Sequence, residues 1–250
     1  MKADLILLIT AAIWGFAFVA QRVGMDHMGP FTFNGIRFTL GAIALLPLLF
    51  LRGDRQDNQA KLTFKEVLLP GALTGLVLFG GASLQQIGLV GTSAGKAGFI
   101  TGLYVILVPL LGLFWGKKAH LAHWFGAVLA VAGLYLLSVR ENFAVSGYDL
   151  VVLVGAVLWA VHVHLISRFS NQVGPLRLSV FQFAVCGLLS GGAALLFETP
   201  ALENVTDGLW PILYGAFLSV GLAYTLQVVA QRTADPSHAV VILSMEGAFA

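Results

Sequence analysis

Charged side chains are scarce in this sequence. Asp, Glu, Lys and Arg make up 10% of the 250 residues, whereas hydrophobic residues make up 58%. A typical soluble domain carries about a quarter charged residues, so this composition excludes an ordinary soluble domain. The formal net charge is only +2, and the basic residues do not form a patch, which argues against a nucleic-acid partner.

Cysteine is also scarce, and the common catalytic motifs are absent from the sequence. Cys186 is the single cysteine, which excludes a disulfide within the chain. The sequence contains no phosphate-binding glycine loop, no cluster with metal-ligand spacing and no nucleophile elbow. We therefore expect no ATP hydrolysis, no bound metal and no cofactor.

Long apolar segments fill the chain instead, and each has about the 20 residues that a helix needs to cross a bilayer. Spanning segments of this kind must be helical, because their backbone groups meet no water in lipid. The sequence predicts an all-α polytopic membrane protein with nine spans, at about residues 4–22, 31–51, 66–89, 95–116, 121–138, 148–168, 175–197, 208–230 and from 236 onward. Pro30, Pro175 and Pro236 are predicted to begin helices.

The first segment has an alternative interpretation as a signal peptide, because Lys2 precedes an apolar stretch. That stretch runs from Leu5 to Ala20, which is longer than a typical signal core, and Asp4 interrupts the charge pattern. We therefore assign it as the first span, with the lipid bilayer as the solvent of the protein.

Lysine and arginine positions predict a cytoplasmic N-terminus, because cytoplasmic loops carry an excess of both residues. In that orientation ten basic residues lie in cytoplasmic joints, namely Lys2, Arg52, Arg55, Lys61, Lys65, Lys117, Lys118, Arg168, Arg177 and Arg232. Only three lie on the opposite side, namely Arg22, Lys96 and Arg140.

The chain repeats itself weakly. Asp4 precedes Trp14 by ten residues, as Asp149 precedes Trp159. When the two halves are aligned with a slightly different offset, Gln85 aligns with Gln227, Lys96-Ala97 with His238-Ala239, and Tyr104 with Glu246. We expect two five-helix repeats, residues 1–140 and 141–250, although apolar helices also resemble one another by chance. An odd number of spans inverts the second copy, a common plan in secondary transporters.

Two five-span repeats predict ten helices, whereas only 15 residues run from Pro236 to Ala250. We therefore expect a fragment that lacks the last part of helix nine and the whole of helix ten.

Several stretches resemble the EamA-type transporters of the drug/metabolite transporter superfamily. They are Ala11-Ala12-Ile13-Trp14-Gly15, Arg37, the stretch from Gly126 to Gly133, and Ser244-Met245-Glu246. Members often continue the last stretch with proline, where this chain has Gly247. The resemblance implies ten helices in two halves around a central cavity. It also implies movement of small metabolites by alternating access in the bacterial inner membrane.

Charged groups inside spans are costly, by about 2.5–3.5 kcal/mol on insertion scales, and so point to function. Arg37 and Asn34 share one helix face. In a functional role, Arg37 attracts the carboxylate or phosphate of a substrate into a cavity. In a structural role, it snorkels to the membrane interface or hydrogen-bonds a backbone carbonyl. Glu246, near mid-membrane, either carries a coupling proton or holds two helices together by a hydrogen bond.

Uncharged polar and aromatic residues complete the candidate substrate site. Trp14 and Gln21 lie on one face of span one, and Trp159 takes the matching place in span six; these residues line a cavity or serve as packing. His162, one turn beyond Trp159, is a further candidate. Its neighbour His164 points about 200° away on a helix, which excludes a shared metal ion.

Gln85 and Gln227 complete the candidates, and each either binds substrate or hydrogen-bonds between helices. Together the candidates favour a secondary transporter for a small substrate, such as an amino acid, an organic acid or a drug-like compound, driven by a proton or other ion gradient or by exchange. The alternative is a polytopic membrane enzyme acting on a lipid, which should show clustered acids and histidines at one membrane surface. Lys117, Lys118, His120 and His123 cluster without acids, so we expect no enzyme.

Overall fold

The computed structural model describes residues 2–52, 63–114 and 145–250, with isolated positions between 121 and 136. Within these residues the chain is helical. The helices are α1 (Lys2–Gly24), α2 (Pro30–Arg52), α3 (Phe64–Leu89), α4 (Ala94–Gly102), α5 (Tyr104–Phe114), α6 (Gly147–Val173), α7 (Pro175–Phe197), α8 (Leu202–Asp207), α9 (Leu209–Leu213), the π-helical α10 (Tyr214–Tyr224), α11 (Thr225–Ala230), α12 (Pro236–Leu243) and α13 (Glu246–Phe249).

Seven segments among the described residues are long and apolar enough to cross a bilayer. They are Lys2–Gly24, Pro30–Leu51, Phe64–Leu89, Ala94–Phe114, Gly147–Val173, Pro175–Phe197 and Leu209–Ala230. These segments confirm seven of the predicted spans. The predicted fifth span, 121–138, lies mostly outside the described residues, and the basic residues at 117 and 118 lie wholly outside them.

Local sequence explains where most helices begin. Pro30, Pro175 and Pro236 stand at the first positions of α2, α7 and α12, as predicted. The start of α6 is a capping box, in which the Ser146 side chain accepts a hydrogen bond from the Asp149 backbone N–H and the Asp149 carboxylate accepts one from the Ser146 N–H. Such pairs satisfy backbone donors that have no partner within the helix.

Two predicted spans are broken rather than continuous. The fourth breaks at Leu103, between α4 and α5, and the ninth breaks after Leu243, between α12 and α13. The expectation of one helix from residue 236 onward was therefore wrong. Close packing accompanies these breaks, because a Cβ atom on Gly247 would lie 3.2 Å from the Gly98 carbonyl oxygen, and small residues allow backbones to approach.

Helices from the first part of the chain pack mainly on helices from the second part. The strongest pairings are α2 with α7, α3 with α6 and α3 with α7. At the first of these, a Cβ atom on Gly35 would lie 3.1 Å from the Gly191 backbone nitrogen. A core cluster of Phe38, Leu78, Trp159, Phe183 and Tyr224, among others, fills the space between these helices.

Glu198, just after α7, closes the start of α2. Its carboxylate accepts hydrogen bonds from the backbone N–H groups of Phe31 and Thr32, each at 2.8 Å, and from the Thr32 hydroxyl at 2.6 Å. A negative charge at a helix N-terminus also interacts favourably with the helix dipole. Glu198 thus caps a helix that lies far from it in the sequence.

We expect Glu198→Ala to lower the free energy of unfolding by about 1–2 kcal/mol, the usual cost of losing a helix cap. Thermal unfolding in detergent would measure this loss. Glu203→Ala is the matched control, because the Glu203 side chain is exposed in α8. An equal effect of the two substitutions would contradict the capping role.

Candidate functional site

A cavity lies among the helices. Its lining residues are Trp14, Phe18, Gln21, Arg37, Gln85, Thr101, Tyr104, Trp159, Val163, Ser219, Tyr224, Gln227 and Glu246. All of them are buried except Trp14, which is partly exposed. Seven of the nine residues proposed from sequence are therefore brought together at one place. Asn34 and His162 do not line this cavity.

Asn34 and His162 lie behind the wall and hold residues that line it. The Asn34 side-chain oxygen accepts a hydrogen bond from Arg37 Nε at 3.0 Å. His162 Nε2 lies 2.9 Å from Gln182 Oε1 on α7, and its ring meets Trp159 edge-on with centroids 5.7 Å apart. The two residues support the site without facing the cavity.

Arg37 brings a positive charge to the cavity wall. The residue is only 1% exposed, so its side chain does not snorkel to an interface. Its guanidinium carbon lies 4.8 Å from the ring centroid of Phe38 and 5.3 Å from that of Phe33. Aromatic faces attract cations, but they leave N–H donors unused, and Arg37 Nη2 has no hydrogen-bond partner within the described part of the chain.

Glu246 brings a carboxyl group to the same cavity. It is the first residue of α13, directly after the break in the ninth span, and it is buried. Tyr104, the first residue after the other break, lines the cavity as well. Among residues 2–52, 63–114 and 145–250, no basic side chain forms an ion pair with Glu246.

A chain of hydrogen bonds joins three helices along one side of the cavity. Trp159 Nε1 donates to Gln85 Oε1 at 3.0 Å, and Gln85 Nε2 donates to Gln21 Oε1 at 3.0 Å. Gln21 in turn donates to the Ala17 carbonyl, and Gln86 donates to the Gln21 carbonyl. This chain fixes α1, α3 and α6 relative to one another and orients the Trp159 ring.

Tyr224 stands between the two tryptophans. Its ring centroid lies 4.6 Å from that of Trp14 and 6.0 Å from that of Trp159, and Trp14 Nε1 donates to the Ser219 carbonyl at 3.4 Å. Sequence reasoning did not find Tyr224, because a tyrosine in an apolar span is typical of packing. It also missed Tyr104, although the alignment of Tyr104 with Glu246 was a usable signal.

We expect Gln85→Leu to lower the free energy of unfolding by about 1–2 kcal/mol, because interhelical hydrogen bonds in membranes contribute amounts of this size and two are lost. Thermal unfolding in detergent would measure the change. The matched control is Gln86→Leu, which removes a single hydrogen bond from the neighbouring position. A larger effect at Gln86 would contradict the central place of Gln85 in the chain of bonds.

The chain matches a family model described as the EamA-like transporter family over residues 1–139 and 146–250. The chain belongs to the EamA-like transporter family. It is therefore a multi-pass membrane transporter, and the alternative of a lipid-modifying membrane enzyme is not supported, because its relatives are named transporters.

Relatives in this family come from bacteria and archaea. An uncharacterized transporter of Archaeoglobus fulgidus is 34% identical over 252 residues, covering 100% of this chain and 76% of the relative. The uncharacterized inner membrane transporter YedA of Escherichia coli K12 is 28% identical over 217 residues, covering 84% of this chain and 65% of the relative. A probable terminal-alkyne amino-acid exporter of Streptantibioticus cattleyicolor is 28% identical over 251 residues, covering 94% of this chain and 80% of the relative.

The EamA-like chain also shares its fold with a solved crystal structure. The two superpose with a TM-score of 0.76 and 21% sequence identity, over 99% of this chain and 84% of the other. The helical membrane fold predicted from the sequence is confirmed by this likeness and by the seven apolar helices.

Proposed function

We propose that this protein is a secondary transporter for a small metabolite with a carboxylate and an apolar body, and that it works by alternating access. The single observation that supports this proposal best is the cavity itself. It holds an arginine and a glutamate that form no ion pair within the described residues, against a wall of tryptophan and tyrosine rings.

Arg37 is the proposed anchor for the substrate anion. A guanidinium donates through a planar fork that matches a carboxylate, and its hydrogen bonds to charged groups are the strong ones. Asn34 occupies Nε, so the remaining donors, including the unpartnered Nη2, are available for the substrate. The rings of Trp14, Trp159 and Tyr224 would pack against its apolar body.

Glu246 is proposed to balance the charge on the opposite part of the substrate. A substrate ammonium would pair with the carboxylate, or a coupling proton would neutralise it when the substrate carries no cation. The relative named a probable terminal-alkyne amino-acid exporter supports an amino acid as the substrate class. Gln21, Gln85 and Gln227 supply neutral hydrogen-bonding groups on the same wall.

Alternating access is proposed to involve two inverted repeats, residues 1–140 and 141–250. The matching positions of the two helix breaks, before Tyr104 and before Glu246, support this arrangement, since broken helices are common at the midplane sites of transporters. We further propose the bacterial inner membrane as the location, as for YedA, with a cytoplasmic N-terminus from the distribution of basic residues.

Reconstitution into sealed vesicles tests this function. Protein with an imposed proton gradient should accumulate at least one labelled amino acid or organic acid from a panel, and excess unlabelled substrate outside should accelerate exit by exchange. Vesicles without protein provide the background. Uptake indistinguishable from that background for carboxylates, alongside uptake of cations or neutral compounds, would overturn the proposed substrate class.

A further inference from the structure

Two contacts between a basic residue and an aspartate join the ends of helices that the sequence repeat relates to one another. Lys96 on α4 lies 2.8 Å from the Asp149 carboxylate at the start of α6. His238 on α12 lies 2.9 Å from the Asp4 carboxylate at the start of α1. In the sequence repeat Asp4 aligns with Asp149, and Lys96 aligns with His238. Each aspartate is thus paired with the basic residue of the other half.

The two pairs lie at opposite ends of α1. Phe18 belongs to a core cluster with Ala97 and Val152, next to Lys96 and Asp149. Asp4 is fourteen residues earlier, about 21 Å along a helix that rises 1.5 Å per residue. The cavity residues Trp14 and Gln21 lie on the same helix, with Trp14 between the two ends.

Apolar contacts beneath the two pairs follow the same relation. Leu7 lies three residues after Asp4, and it belongs to one apolar cluster with Ala239, which directly follows His238. Val152 lies three residues after Asp149, and it belongs to another apolar cluster with Ala97, which directly follows Lys96. The same small contact therefore occurs at both ends of the molecule, with the roles of the halves exchanged.

The pairs differ in their surroundings. The side chains of Lys96 and Asp149 are 9% and 4% exposed, whereas those of His238 and Asp4 are 57% and 44% exposed. Asp149 also accepts hydrogen bonds from the Thr92 hydroxyl at 2.8 Å and from the Ser146 N–H at 2.7 Å. One end of the molecule is thus held by a buried network and the other by an exposed contact.

From this reciprocal arrangement we infer that Lys96–Asp149 and His238–Asp4 are the two gates of the transporter, each closing the cavity toward one face of the membrane. The inference rests on alternating access as proposed above. With both pairs formed, nearly all cavity-lining side chains are buried, which corresponds to a state closed on both sides. Opening one pair exposes the cavity to one face only, and the exposed pair opens more readily than the buried one.

Side-specific labelling of the cavity tests the gates. The reporter is Ser219→Cys, a cavity position, in a Cys186→Ala background that removes the native thiol. Right-side-out and inside-out vesicles are treated with a membrane-impermeant maleimide. Lys96→Glu and His238→Glu each place a carboxylate opposite an aspartate, so the two variants are matched. We expect each to raise the labelling rate at least about fivefold, within the usual range of coupling between sites, and from opposite faces.

Further variants give this test its controls. The exchanged double Asp4→His/His238→Asp should return labelling to the parent rate. Arg22→Glu should leave it unchanged, because the Arg22–Asp26 pair lies within one helix turn at the C-terminal end of α1. If Lys96→Glu does not fold, the isosteric Asp149→Asn and Asp4→Asn take the place of the matched variants.

Labelling that rises from the same face in both variants, or in neither, overturns the gates, as does a folded exchanged double that stays open. The labelling readout needs no substrate. Side-specific labelling without carboxylate transport would therefore refute the proposed substrate class and leave the gates standing. Carboxylate transport without side-specific labelling would refute the gates and leave the proposed substrate class standing.

Discussion

Replacing Arg37 with glutamine is expected to reduce transport by about 10–100-fold, because a charge-assisted hydrogen bond contributes about 1.5–3 kcal/mol. The same substitution should leave the thermal unfolding temperature unchanged or raised. Burying a charge without a full set of partners is costly, and Arg37 Nη2 has none among the described residues. Vesicle uptake and unfolding in detergent, measured on the same preparation, provide the two readouts.

Two variants sharpen the Arg37 prediction. Arg37→Lys keeps the charge but not the planar fork, so it should recover part of the transport and show a raised KM. Arg22→Gln removes a partly exposed arginine whose ion pair lies on the surface, and it should have little effect. A fall in stability with unchanged KM in Arg37→Gln would instead assign Arg37 a structural role.

For a substrate that carries no cation, Glu246→Gln is expected to abolish accumulation against the gradient while preserving exchange of labelled for unlabelled substrate. Glutamine has nearly the same shape as protonated glutamate, so the cavity keeps its form, but it cannot release a proton. A coupled carrier needs a group that binds and releases its driving ion in the cavity, and Glu246 is the acidic residue among those that line it. Uptake driven by a pH gradient and exchange at equal pH separate the two outcomes.

The Glu246 experiment has a built-in comparison. Glu203→Gln alters an exposed carboxylate on α8 and should leave both uptake and exchange unchanged. Glu246→Asp keeps the acid one methylene shorter and should retain some accumulation. If Glu246→Gln loses exchange together with accumulation, Glu246 binds the substrate itself, and the coupling proton must be carried elsewhere.

The spans could be predicted because the bilayer constrains them so strongly. A segment in lipid must be long, apolar and helical, and those properties are visible in the sequence without knowing any contact. The helix starts at Pro30, Pro175 and Pro236 could also be predicted, because proline favours the first position of a helix whatever the helix contacts. The breaks at Leu103 and after Leu243 could not be predicted in this way, because glycines such as Gly102 are common inside membrane helices. The interruptions accompany the close packing of α4 against α13.

The site was predicted only where its residues were anomalous for a membrane span. Arg37, Glu246 and the glutamines stand out because polar groups in lipid are costly, and the structure gathers them at one cavity. Tyr224 and Ser219 carry no such signal. Their place in the wall follows from how the π-helical α10 packs on α1 and α2, which depends on contacts far apart in the sequence. Asn34 and His162 faced the right helices but lie one layer behind the wall.

The contact between α2 and α7 constrains how sequences of this family can be recombined. Gly35 meets the Gly191 backbone, and Glu198 binds the first turn of α2. A chimera that took residues 1–139 from one relative and the remainder from another would divide this interface between two parents. Its two helices would then meet with mismatched surfaces, so viable exchanges must carry α2 and α7 together.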